Sequence, residues 1–320
     1  MRADKPPAFT RQPRQNKRLG QVFLKDQNTM HKIVDAATLS PTDQVIEIGC
    51  GEGWMSFELA QKCGALAIME LDPYFLQMTQ DRLAEFTHVQ YFPGDALKTT
   101  LAPIPFETFK MVANIPYQIS APLTKLLIAS RERLIEAVLL VQLEFAKKLV
   151  AKPGSDGYTS LSLYTQFYLE TEFLFPVSRK CFRPIPKVDS AVIRLKPRAT
   201  APFEVDEDLF FQMIRSAFWG RRKTLMNSLS KNPFLRLDPT FKQSPFFIKN
   251  PNIRGETLDL EGFHALFLEI KGFIRGETPA TTPRPSTPPP QPLPIPVWNR
   301  EGSISAISYR HPGLEPGSRT

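Results

Sequence analysis

The chain has 320 residues, 42% of them hydrophobic and 22% charged, with a formal net charge of +8. That is the composition of a soluble globular protein with one large domain and a smaller one, and the positive charge points to a polyanionic partner. No apolar run approaches the roughly 20 residues that span a bilayer, the basic N-terminus lacks the apolar core of a secretory signal, and Cys50, Cys63 and Cys181 are too scattered for a disulfide framework or a metal site.

Residues 1–18 are polar and basic, carry Arg14, Lys17 and Arg18, and are expected to be flexible. Gly20-Gln21-Val22-Phe23-Leu24 leads into a helix over 26–37, with Met30, Ile33, Val34 and Ala37 at helical spacing. Residues 45–49 predict a short buried strand, 54–63 a helix and 65–71 a second strand ending in Glu70 and Asp72. Pro73 suits the first turn of the helix that follows, with Asp72 as its N-cap. Further strands are predicted over 89–92, 109–113 and 137–142, with a helix after Ser120 and another over 143–151. Strands alternating with helices imply a parallel sheet covered on both faces, an α/β Rossmann-like class.

Residues 152–157 form a loop by composition, 159–176 a helix and then a strand, and 188–195 a last strand. The catalytic domain is thus expected over 19–200. Residues 201–275 read as a small helical domain, with Phe210, Phe211, Ile214, Phe218, Leu225 and Leu229 on its apolar face. From 276 to 320 the chain is Pro-rich, with nine prolines between Pro279 and Pro296, and is expected to be disordered.

Three strand ends carry the chemistry. Glu47-Ile48-Gly49-Cys50-Gly51-Glu52-Gly53 is a Gly-rich turn between strand and helix, where Gly49 and Gly51 let a ligand approach the backbone. A nicotinamide site needs a third glycine where Trp54 stands, and that ring blocks the close helix–strand contact. Glu-x-Gly-x-Gly instead resembles the first motif of S-adenosylmethionine-dependent methyltransferases. Glu70 ends the next strand and suits the hydroxyls of a cofactor ribose; Asp95 follows the third and suits an adenine amino group. Glu47 is expected to hold the turn by bonding neighbouring amides, or to be merely structural.

At the fourth strand end stands Asn114-Ile115-Pro116-Tyr117. Asn114 offers an acceptor and two donors, Pro116 fixes the backbone, and Tyr117 presents a flat face. Together they suit a planar base gripped by one edge and one face.

These residues resemble the KsgA-type rRNA adenine N6-dimethyltransferases, from about Lys17 to Leu268. The resemblance is carried by Lys17 to Leu24, the glycine turn, Glu70-Leu71-Asp72, Gly94-Asp95-Ala96, Asn114 to Tyr117, Phe182 to Ser190, and Arg221-Arg222-Lys223-Thr224 with Asn227-Ser228-Leu229. It implies cofactor contacts at Gln21, Val22, Leu24, Gly49, Glu70, Asp95 and Asn114. Val22 stands where the family has Asn and is left with its backbone or its packing. Phe182 is by position more often a core residue, and the resemblance raises it as a cover for the second face of the base.

Catalysis needs alignment more than proton transfer, because the adenine N6 lone pair is delocalised into the ring. The Asn114 oxygen and a backbone carbonyl near Ile115 or Pro116 are expected to accept from the N6 hydrogens and aim the lone pair at the methyl. Three basic clusters are candidate phosphate contacts: Arg14, Lys17 and Arg18; Arg179, Lys180, Arg183 and Lys187; Arg221, Arg222 and Lys223. The resemblance implies two adjacent adenosines in a hairpin loop near the 3′ end of small-subunit rRNA, modified within an assembling particle; the scattered cysteines and histidines make a reducing cytosol the default and leave no metal spacing, and a monomer is expected. Two alternatives stay open: an Erm-type enzyme acting on large-subunit rRNA, and a non-catalytic transcription factor on the same fold.

Overall fold

The computed structural model describes residues 22–99, 101–220 and 222–275. β1 (Phe23–Leu24) and α1 (Gln27–Ala36) come first, then β2 (Gln44–Ile48), α2 (Trp54–Ala60), β3 (Ala65–Glu70), α3 (Pro73–Arg82), β4 (Val89–Pro93) and the short α4 (Ala96–Thr99). β5 (Phe109–Asn114), α5 (Ser120–Ala129), β6 (Leu134–Gln142), α6 (Leu143–Val150), α7 (Ser160–Tyr168), β7 (Leu169–Val177), β8 (Phe182–Arg183) and β9 (Ser190–Pro197) follow. The last helices are α8 (Glu207–Ala217), α9 (Leu225–Ser230), α10 (Pro245–Lys249) and α11 (Leu260–Ile270). The basic terminus with Arg14, Lys17 and Arg18, the cofactor candidate Gln21, Arg221 and the Pro-rich tail lie outside the described residues.

Seven strands pair in the order β4-β3-β2-β5-β6-β9-β7. The chain runs outward from β2 to β4, then restarts at β5 on the other side of β2. The switch point is therefore between β2 and β5, where open α/β sheets bind ligands at the carboxyl edge. β2 to β6 are parallel, but β9 pairs antiparallel with both β6 and β7. The purely parallel expectation fails at this one strand. Only residues 178–189 separate β7 from β9, with no crossover helix to return the chain to the far edge, so β9 comes back antiparallel. As a result the amino end of β9 reaches the same edge as the carboxyl ends of β5 and β6: Ser190 pairs with Gln142, two positions past the level of Asn114 and Leu140.

Alternation along the strands builds two cores. Ile46, Met111, Ala113 and Leu139 face α5, whose Leu123 and Leu127 are fully buried. Val45, Leu66, Val112 and Val138 face α1 and α2 through Ile33, Val34 and Leu59. Burial on both faces is why these strands read as continuous apolar runs rather than alternating ones. Asp26 caps α1 by accepting from the Thr29 N–H at 2.7 Å, and Asp72 caps α3, with Pro73 in its first turn. A third core joins Leu163 and Phe167 of α7 to Phe210, Ile214, Phe263 and Phe267 of α8 and α11. Among the described residues no helix is long and apolar enough to cross a membrane.

Candidate active site

Gly49, Gly51 and Gly53 all take positive φ, +79°, +53° and +76°. Only glycine adopts such angles without strain, so the chain leaves β2 in a tight turn. A side chain on Gly51 would meet the Phe23 ring at 3.1 Å, and one on Gly53 would meet Thr79 Oγ1 at 2.8 Å. The turn is thus pressed between β1 on one side and α3 on the other. Above it opens a cavity of about 290 Å³, close to the lower bound of roughly 300 Å³ for small-molecule pockets.

The cavity gathers Val22, Leu24, Gly49, Gly51, Glu70, Asp95, Asn114 and Pro116 from five separate stretches of chain. Glu70 Oε1 accepts from the Asp72 N–H at 2.9 Å, and Oε2 lies 3.4 Å from the Gly51 N–H. Burial pushes its pKa up; the two amides oppose that. Asp95 Oδ1 accepts from the Leu97 N–H at 3.0 Å, which fixes the carboxyl at the start of α4. Asn114 Nδ2 is 3.5 Å from the Val22 carbonyl oxygen, a long contact that leaves the side-chain oxygen unused. Val22 presents its carbonyl to Asn114, and its side chain packs against the core on the α1–α2 side. Lys25 pairs with Glu52, tying the segment after β1 to the glycine turn.

Two expectations are corrected. Phe182 does not reach the cavity: it is 0% exposed, packed in the core on the α1–α2 side of the sheet, and β8 is held by pairing Leu24 with Phe182. The ring thus lies outside the cavity wall. Glu47 does not hold the turn, because neither of its carboxyl oxygens has a hydrogen-bond partner, although the residue is 0% exposed.

Tyr117 is half-buried and not part of the cavity wall, though its neighbours Pro116, Gln118 and Ile119 are. Its hydroxyl is 2.7 Å from Ser190 Oγ, so β9 fixes the ring's orientation. That role for Ser190 was missed; its only signal was a place in the Pro-Lys-Val-Asp-Ser string. Leu71 and Trp54, exposed apolar residues in the wall, were also missed, because an apolar residue beside a motif looks like core in a sequence. Arg179, Lys180, Arg183, Lys187, Arg222 and Lys223 are all exposed.

Burial, with a smaller push from nearby Glu70, raises the Glu47 pKa to about 8; the Ser56 hydroxyl is near enough to temper the shift but not placed to bond it. The folded protein therefore holds a proton that the unfolded chain gives up near 4.5, the ordinary value. Stability should fall as pH rises between those values, by a few kcal/mol in all. Glu47→Gln should flatten that slope. Thermal melts at pH 6 and pH 8.5 check it; equal shifts in both proteins would refute it.

A family model described as ribosomal RNA adenine dimethylase matches residues 12–250. The chain belongs to the ribosomal RNA adenine dimethylase family. It is similar to proteins named ribosomal RNA small subunit methyltransferase A from Geobacillus thermodenitrificans, at 38% identity over 78% of this chain and 89% of the relative. The corresponding protein from Moorella thermoacetica is 37% identical over 77% and 89%. Among solved structures it is similar to a dimethyladenosine transferase from Plasmodium falciparum, with TM-score 0.66 and 29% identity, covering 78% of this chain and 98% of that one. The 23S rRNA methyltransferase ErmE gives TM-score 0.61 and 28% identity, covering 78% and 99%. The fold is thus common to both enzyme readings, whereas the sequence relatives carry the small-subunit name. The chain is a methyltransferase of the rRNA adenine dimethylase family with a Rossmann-like sheet.

Proposed function

We propose that this enzyme uses S-adenosylmethionine to dimethylate N6 of two adjacent adenosines in a hairpin loop near the 3′ end of small-subunit rRNA. It acts as a cytoplasmic monomer on the assembling particle. The observation that carries the reading is the shared cavity of Asn114 and the glycine turn. The fit to the cofactor rests on the wall chemistry: Glu47, Glu52, Glu70 and Asp95 line it, and no Lys, Arg or His does among the described residues. Such a wall repels the pyrophosphate of a dinucleotide and suits a cationic ligand. The bound cofactor supplies an electrophilic methyl group.

The protein's own part is alignment. Glu70 and Asp95 hold the ribose and adenine ends, with Gly49, Gly51, Val22 and Leu24 around them, and Gln21 is a further cofactor contact by resemblance. Asn114 Oδ1 and a carbonyl at Ile115 or Pro116 accept from the N6 hydrogens and turn the lone pair towards the methyl. Tyr117, fixed by Ser190, supplies the stacking face. The target base leaves its stack at a cost of a few kcal/mol, and aromatic stacking returns roughly 1–3 kcal/mol. Phosphate contacts supply much of the remaining affinity, from Arg14, Lys17 and Arg18, from Arg179, Lys180, Arg183 and Lys187, and from Arg221, Arg222 and Lys223 in the small helical domain.

The test is transfer of a labelled methyl group to unmodified small subunits, to naked small-subunit rRNA and to large subunits, with the modified bases mapped. The reading requires dimethyladenosines in the small subunit. Label in the large subunit alone would replace it with the Erm-type reading, and cofactor binding without transfer to any RNA would favour a non-catalytic factor. An Arg221/Arg222/Lys223 triple alanine variant should weaken RNA binding and make the salt slope shallower by about two. An unchanged slope, measured by filter binding between low and high salt, removes that cluster from the interface.

A further inference from the structure

Glu47 lines the cavity, and the proposed mechanism gives its carboxyl no part. It sits in β2, immediately before the glycine turn, fully buried and with both carboxyl oxygens unpartnered. A buried carboxylate without a hydrogen bond or a cation is unfavourable, so it either stays neutral or awaits a counter-charge. Among the described residues no cation lines the cavity wall beside it. The titratable groups around Glu47 are Glu70 on β3, Cys50 in the turn and Cys63 beyond α2, which bear negative charge or none. Ser56 on α2 is the other polar neighbour. Glu52, in the same wall, is already paired with Lys25.

The cofactor in the proposed function brings what the wall lacks. S-adenosylmethionine carries a sulfonium charge that its product, S-adenosylhomocysteine, does not. We propose that Glu47 loses its proton to solvent when S-adenosylmethionine binds, so that a buried carboxylate balances the sulfonium, and regains one from solvent once methyl transfer has removed that charge. Glu47 thereby sets the preference for cofactor over spent product. Its pKa, raised in the ligand-free protein, agrees with this direction: a cation nearby lowers it, and binding is linked to proton release.

The proposal rests on the cofactor reading, and its test separates the two. Isothermal titration of the whole chain with S-adenosylmethionine and S-adenosylhomocysteine, at pH 7 in two buffers of different ionisation enthalpy, counts protons. Wild type should release most of one proton with S-adenosylmethionine and far less with the product. The ratio of product Kd to cofactor Kd should rise roughly thirtyfold from pH 6 to 8.5, and should be nearly flat in Glu47→Gln. Each ligand's own amino group titrates identically in both proteins, so the difference between them isolates Glu47. Binding without proton release, or the same pH dependence in Glu47→Gln, overturns the proposal and leaves the cofactor reading standing. No binding of either ligand overturns both. If the variant fails to fold, carbon-13 carboxyl spectra of the wild-type protein decide the matter: Glu47 must ionise when S-adenosylmethionine is added.

Discussion

Replacing Asn114 with alanine should lower methyl transfer by about two to three orders of magnitude while leaving the fold intact. The magnitude is that of removing one positioned polar group from a preorganised site. The side-chain amide makes only a 3.5 Å contact to the Val22 carbonyl, and the residue is half-buried, so its loss costs little stability. What disappears is the acceptor that orients the N6 amine. The loss should therefore fall on the single-turnover rate, with RNA affinity nearly unchanged and cofactor affinity modestly reduced. Asn114→Asp keeps an acceptor but loses the donor to Val22, and should lie between. The measurement is single-turnover transfer with saturating RNA. A rate within threefold of wild type would remove Asn114 from the chemistry and with it the proposed orientation of the base.

The second large effect concerns the turn itself. Gly53 and Gly154 share the same φ of +76°, yet their surroundings differ. A Cβ on Gly154 meets nothing within 4 Å, whereas one on Gly53 comes within 2.8 Å of Thr79 Oγ1 and 3.2 Å of the Thr79 Cα. Gly154→Ala should thus cost only the backbone term, about 1 kcal/mol. Gly53→Ala adds a clash with the stiff, fully buried Thr79 side chain and a tight approach to its Cα, and should cost about 3 kcal/mol in total. It should also weaken cofactor binding, since relief requires α3 to move away from the cavity's rim. Denaturant unfolding of both variants, with cofactor titration of whichever folds, checks this. Equal destabilisation would mean that close approach is not what selects glycine at 53.

The parallel half of the sheet and its cofactor edge were legible because local and global signals agree there. Strands buried on both faces are continuous apolar runs, and each ends in a residue whose chemistry has few uses in a core: Gly49, Glu70, Asp95, Asn114. The structure places all four on one cavity. Phe182 was misread for the opposite reason. Its position alone favours the core, and only the resemblance set it over the base, in a stretch whose neighbours are prolines and exposed basic residues. Only pairing with Leu24 in β1 draws it into the core, and a two-residue strand leaves no periodic trace.

The sequence by itself determined the order of strands and helices, the glycine turn, the polar residues at the strand ends and the family, because each depends on residues close together in the chain. The tertiary structure alone decided that β9 runs backwards and delivers Ser190 to Tyr117, and that Val22 meets Asn114 through a carbonyl. It also decided that Glu47 lies buried without a partner. Those are facts about what lies opposite a residue across the sheet or beneath a turn. Pairing across such distances is set by burial of whole faces, which no single stretch of sequence contains.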